Sequence, residues 1–160
     1  MDTQIVEILG RSLLMEQLLR GGIEVATPVR DRGVDLIAYI DLDAQLGHFI
    51  ACPIQMKAAV AASFSIDNKY TKFMNLIQAY VWNVESQRDA TIYALTQSEA
   101  VEVARDVGYT NTPSWKEHGR YVSTKPSARL IELLQPHRMT SERWKEKIAT
   151  ALTVSARSGL

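Results

Sequence analysis

Two short apolar strands, each carrying polar residues at fixed places, constrain this 160-residue chain more than anything else in it. The first reads Gly33-Val34-Asp35-Leu36-Ile37-Ala38-Tyr39-Ile40. The second runs from His48 to Lys57 and ends Pro53-Ile54-Gln55-Met56-Lys57. An acid inside an apolar strand is costly unless a partner, an ion or a task compensates it. Strand side chains alternate, so Gln55 and Lys57 share one face while Ile54 and Met56 share the other. With 41–47 as the connecting loop, a turn centred near residue 45 sets Asp35 directly opposite Gln55, Cβ atoms roughly 5 Å apart. Lys57 then falls one step further along the same face.

A carboxylate, an amide oxygen and an ammonium thus converge. Hard oxygen donors of this kind suit Mg²⁺, which accepts them and keeps waters for a substrate phosphate. A lysine beside them orients or deprotonates an attacking water, or stabilises charge developing on the phosphate. A buried Asp–Lys pair that merely holds a hairpin together has the same residue pattern.

Composition narrows the class. The chain is 46% apolar and 22% charged, which is that of a folded soluble protein and not a disordered or fibrous one. Its length favours one domain, read here as 1–154 with a short tail at 155–160. A single cysteine, Cys52, excludes a disulfide framework and a Cys-rich metal site. No apolar run approaches the roughly 20 residues that cross a bilayer. The start Met1-Asp2-Thr3-Gln4 lacks the basic residues of a signal peptide, so a cytoplasmic location without membrane contact is expected.

Periodicity and turn residues predict a helix over 4–20 stopped by Gly21-Gly22, then strands at 23–28, 34–40 and 48–57. A helix near 69–75 and strands near 77–84 and 90–95 follow. A further helix begins near Ser98 and closes at Gly108, 109–126 reads as loop, and helices take 127–134 and 141–153. This order predicts an α/β (α+β) domain: a helix, a mixed central sheet flanked by helices, and a helical C-terminal part. Ala79-Tyr80-Val81-Trp82 reads either as a central strand or as an edge that pairs with a second subunit. Monomer and homodimer are both compatible with this length.

The 18 bases and 18 acids cancel, which excludes a generally basic nucleic-acid coat. They are not evenly spread: residues 116–147 hold eight bases against four acids. Lys116, Arg120, Lys125, Arg129, Arg143 and Lys147 lie there among Trp115, Tyr121 and Trp144. Such a mixture can track a phosphate backbone and stack on bases, or it can be a solvated face with core tryptophans. The other candidates are weaker. His48, His118 and His137 lack metal-like spacing, and Cys52 reads as a buried thiol although His48 shares its strand face. Gly21-Gly22 precedes a strand instead of opening a phosphate-binding helix.

Asp35 followed by Gln55-x-Lys57 resembles the PD-(D/E)-x-K nuclease superfamily, some of whose members carry Gln in place of the second acid. The helix closed by glycines, the strand and Gly33-Val34-Asp35-Leu36-Ile37 are similar to the beginning of archaeal Holliday-junction resolvases. The resemblance covers about residues 4–60. It implies a restriction-endonuclease-like core, phosphodiester hydrolysis in nucleic acid, DNA ahead of RNA, and Mg²⁺ or Mn²⁺ as cofactor. Asp35 and Gln55 would be metal ligands and Lys57 the catalytic base or charge stabiliser. The chain departs from the pattern at Val34, where Pro is common, and at Gln55. The Glu that the first helix of resolvase-like relatives supplies falls on Arg11, which cannot ligate a metal. On a helical wheel Glu16 shares a face with Ile5, Leu9, Ser12 and Leu19, so Glu16 ranks first as the remaining acid, for both metal and catalysis. Glu7 reads as a solvated partner of Arg11. Arg11 and Gln55 equally suit the alternative: a catalytically inactive domain of the same fold, binding nucleic acid or protein, with Asp35–Lys57 as a structural pair.

Overall fold

The structure, a computed structural model, describes residues 1–30, 32–41 and 49–158. Helix α1 (Thr3–Arg20) starts where the Asp2 carboxylate accepts the Gln4 N–H, and it stops at Gly21, whose N–H returns to the Gln17 and Leu18 carbonyls. Only the stripe Gly10, Leu14 and Leu18 is buried along it. A Cβ on Gly10 would overlap the Ala58 Cβ, so glycine is what lets the helix lie against the sheet there.

That sheet has five strands: β1 (Glu24–Ala26), β2 (Leu36–Asp41), β3 (Phe49–Ala58), β5 (Ile77–Trp82) and β6 (Thr91–Thr96), in this spatial order. Neighbours are antiparallel except β3 and β5, which run parallel. The β2–β3 register, Leu36 opposite Ile54 through Asp41 opposite Phe49, is the one a turn near residue 45 demands. A parallel pair needs a crossover. Here it contains β4 (Phe64–Asp67) and the 3₁₀ turn Asn68–Lys72, where a helix over 69–75 was expected. β4 pairs antiparallel with β7 (Arg120–Ser123), making a small second sheet.

Three of the remaining helices start at hydroxyl caps. Helix α2 (Gln97–Val107) begins at Thr96, two residues ahead of Ser98, because Thr96 and Glu99 form a reciprocal capping box. Helix α3 (Pro113–His118) and β7 occupy the segment expected to be loop, α3 starting at the Thr112 hydroxyl with Pro113 at its first turn. Helix α4 (Ala128–Leu134) is capped by Ser127. Helix α5 (Trp144–Ser158) follows a 3₁₀ turn, and its helical backbone continues past 153 to Ser158, into the stretch expected to be a tail.

Two cores lie on opposite faces of the large sheet. One joins Leu14 and Leu18 of α1 and Trp144, Ile148 and Ala151 of α5 to Leu36, Ala38, Ile54, Met56, Ile77, Ala79 and Ala94. The other joins Phe64, Ile66, Tyr80, Trp82, Tyr93 and Leu95 to Ala100, Val103, Leu130 and Leu134. Each fully buried large side chain contributes on the order of 1.5–3 kcal/mol. β5 is buried along its whole length and paired on both sides, so Ala79–Trp82 is a central strand and not a subunit edge. The class is mixed α+β. Among the described residues no helix is long and apolar enough to cross a membrane.

Candidate functional site

Asp35 immediately precedes β2. Its N–H donates to the Ile54 carbonyl at 2.9 Å, and its Oδ2 accepts the Met56 N–H at 2.6 Å. The carboxylate is 8% exposed, so a buried charge is here held by a charge-assisted backbone hydrogen bond. The ladder ends with Leu36 opposite Ile54, so Asp35 lies just beyond it next to the Gln55–Met56 end of β3, and the alternation of Gln55 with Met56 turns the amide away from α1.

Gln55 donates through Nε2 to the Met56 carbonyl at 3.0 Å, which fixes the amide orientation, since only the amino end can donate. Its Oε1 is buried and, among the described residues, has no hydrogen-bond partner. Gly33 borders that oxygen. A Cβ there would stand 4.0 Å from Gln55 Oε1, 3.7 Å from the Tyr70 ring and 3.9 Å from the Phe73 ring. The Gly33 φ of +88° belongs to the left-handed region that favours glycine, so residue 33 places no side chain beside the amide.

Lys57 continues the face. Its Nζ donates to the Ser65 hydroxyl at 2.9 Å and lies 4.9 Å from the centre of the Tyr70 ring and 6.0 Å from that of Tyr80. Burial lowers its pKa to about 8, and the charges of Lys69 and Arg120 push the same way. Asp67 and Asp35 oppose the shift without cancelling it. Burial likewise raises the phenol pKa of Tyr70, against the lowering effect of Lys69. Tyr80, fully buried, anchors the wall by donating to the Ser65 carbonyl at 2.6 Å.

The structure therefore brings Asp35, Gln55 and Lys57 to one face. It adds groups that sequence reasoning missed. Ser65 and Asp67 alternate with the buried Phe64 and Ile66 on β4, so both turn toward Lys57. Asp67 Oδ1 accepts the Lys69 N–H at 2.9 Å, and Asp67 is paired across the small sheet with Arg120. The strict alternation Phe64-Ser65-Ile66-Asp67 was the available signal.

Glu16 is not part of this group. It sits on α1, across the sheet from Lys57, where it forms an ion pair with Arg20 at 2.9 Å and accepts from Gln87 at 3.2 Å. The buried stripe of α1 is Gly10–Leu14–Leu18 and not the Ile5–Leu9–Glu16 face, which corrects the wheel argument. Glu7 makes no ion pair with Arg11 among the described residues, and Arg11 Nε is buried there without a partner. No cluster of three His, Cys, Asp or Glu side chains arranged to hold a metal occurs among the described residues.

The bases of 116–147 divide. Arg120 lies close enough to act on Lys57, whereas Lys147 is paired with Glu99 at 2.5 Å and Arg129 with Glu132 at 3.0 Å. Arg143 donates to the carbonyls of Pro136 and Arg138. Lys116 and Lys125 lie in α3 and after β7. Trp144 is fully buried and bonded to Gln17 Oε1 at 2.8 Å, so it is core and no base platform. Cys52 is fully buried with its thiol pKa pushed up to about 12, far from a nucleophile's. His48 lies outside the described residues.

No protein-family model matches the chain, and no curated protein or solved structure matches it either.

Proposed function

We propose that this chain is a restriction-endonuclease-like domain that hydrolyses phosphodiester bonds in nucleic acid, DNA foremost, with Mg²⁺ or Mn²⁺. Support for the core comes from an initial helix, an antiparallel β1–β2–β3 meander and a β5 strand parallel to β3. The observation that carries the reading is Gln55 Oε1. A buried acceptor left unpaired costs about 1–3 kcal/mol, and this one belongs to the strand that ends in Lys57, whose ammonium feels the buried Asp35 carboxylate. A hard cation satisfies such an oxygen, and the donor set of carboxylate plus amide oxygen fits Mg²⁺.

Asp35 and Gln55 would hold the ion; Glu16 has no part in it. When bound, the ion supplies Lewis acidity toward a phosphate oxygen and a readily ionised water. The chain's own groups do the rest. Lys57, oriented by Ser65 and set over Tyr70, has a pKa near enough to neutrality to take a proton from the water or to lend one to the departing oxygen. Arg120 and Lys69, the latter paired with Asp67 at 3.7 Å, add positive charge near Lys57 for the phosphate backbone, and Lys116 and Lys125 would contact the strand further out.

The test is incubation of the full chain with Mg²⁺ or Mn²⁺ and branched, single-stranded and duplex DNA and RNA. Metal-dependent cleavage that Asp35→Asn abolishes is expected. No cleavage of any of them, with no Asp35-dependent Mn²⁺ binding by calorimetry, overturns the proposal. The lack of a three-carboxylate group among the described residues favours a second reading, a non-catalytic binding module. Oligonucleotide binding without cleavage and independent of metal would establish that one.

A further inference from the structure

Beyond Gln55 the polar face continues. Its register partner on β5 is Gln78, fully buried, whose Nε2 donates to Gln97 Oε1 at 2.5 Å. Gln97 in turn donates to the Asp67 carbonyl at 3.0 Å. This row of amides leads from Asp35 to a cavity of about 510 Å³ between the 3₁₀ turn Asn68–Lys72 and α2. Phe73 links the two places, since its ring also lies 3.9 Å from where a Cβ on Gly33 would stand.

The cavity's chemistry is selective. Phe73, Met74 and Val101 give it an apolar side; Asn68, Thr71, Thr96, Gln97 and Ser98 give it donors and acceptors. Its single charged residue is Arg105, and no carboxylate lines it. Arg105 is exposed and has no ion-pair partner among the described residues. The smaller cavity of about 190 Å³ beside His137 is different: Glu99 and Glu146 line it, and Lys147 is already paired with Glu99. Only the first accepts a ligand that is planar at one end and anionic at the other. Its size lies within the range of small-ligand sites, roughly 300–1,000 Å³.

We infer that this cavity is a nucleotide subsite: it seats one nucleoside monophosphate unit of the strand, next to the one whose phosphate is presented to Lys57. Phe73 stacks on the base, Arg105 binds the phosphate, and the amides of Asn68 and Gln97 meet the base edge. The inference rests on the nuclease reading for its setting, and it names the substrate class of that same site.

The full chain is titrated in EDTA with deoxyadenosine monophosphate, deoxyadenosine and inorganic phosphate, followed by amide chemical shifts. The mononucleotide should bind about tenfold or more tightly than either fragment, shifting Phe73, Gln97 and Arg105. Arg105→Gln, at an exposed position that leaves folding intact, should weaken the mononucleotide about tenfold and leave deoxyadenosine unchanged. Phe73→Leu should weaken both. Absence of mononucleotide binding at millimolar concentration, binding indifferent to Arg105, or phosphate binding as tightly as the nucleotide would each overturn the subsite. Cleavage of an oligonucleotide with Mn²⁺ is read separately. Cleavage without mononucleotide binding removes the subsite and spares the nuclease; mononucleotide binding with these dependences and no cleavage does the reverse.

Discussion

The two faces of the five-stranded sheet are written by alternate residues of the same strands, and along β2 and β3 they have opposite characters. Toward α1 and α5 every inward side chain of β2 and β3 is apolar, and Trp144 closes the layer with its one polar atom bonded to Gln17. Toward β4 and α2 the same strands present Asp35, Gln55 and Lys57, and β5 adds Gln78. Both cores supply cohesive free energy, which offsets the cost of a buried charge and an unpaired amide oxygen at the β2–β3 end of the second face. Within β2 and β3 the site's polar groups and the sealing apolar side chains are thereby separated by the thickness of one sheet, and substitutions on either side should show it.

The largest effect is expected on the polar face. Asp35→Asn and Lys57→Ala should each lower metal-dependent cleavage by about 10²–10⁴-fold in single-turnover assays, with little change in the melting curve. Cleavage that survives either change would break the division. Next comes the sealed face, where Trp144→Ala should cost about 3–5 kcal/mol in urea unfolding. A loss within the error of the measurement would mean that the stabilising role lies elsewhere. Gln55→Met should work in both directions, raising stability by about 1 kcal/mol as the unpaired oxygen disappears and removing any rise in melting temperature on adding Mg²⁺. Destabilisation would show that the amide is satisfied in solution.

The smallest effect concerns protons. The Lys57 ammonium should titrate near pH 8, and Lys69→Ala should move that midpoint upward by removing a repelling charge, as followed by NMR of the lysine side chain. Because the folded pKa lies below the ordinary 10.5, the penalty of burying the charge is in force below pH 8 and fades between 8 and 10.5. The stability deficit of wild type relative to Lys57→Met should therefore shrink as pH rises through that window. A deficit that grows would reverse the sign.

The hairpin was legible in the sequence because its logic is local: polar residues in apolar strands and a short turn determine which residues face each other. The C-terminal end of α1 was legible for the same reason, through the glycine pair, whereas the Asp2 cap emerged only in the structure. Its buried face was not, since apolar residues surround the helix and Ile5, Ile8 and Leu19 remain exposed; only the sheet decides that Gly10, Leu14 and Leu18 face inward. β4 and β7 escaped notice because each has four residues and finds its partner far along the chain. Thr96 displaced Ser98 as a cap because Glu99, three residues after Thr96, completes the box. The bases of 116–147 could be counted but not assigned, as pairing with Glu99 or Glu132 is a tertiary event.

The pairing of β4 with β7 also sets an order of assembly. Asp35, Gln55 and Lys57 belong to a hairpin whose contacts are near in sequence and form early, whereas Ser65 and Asp67 are steadied by a strand that ends at Ser123. A chain growing from its N-terminus has the site's strands long before it has the wall that orients Lys57. Synthesis itself thus acts as a timer, and the proposed chemistry is switched on only when the second sheet closes.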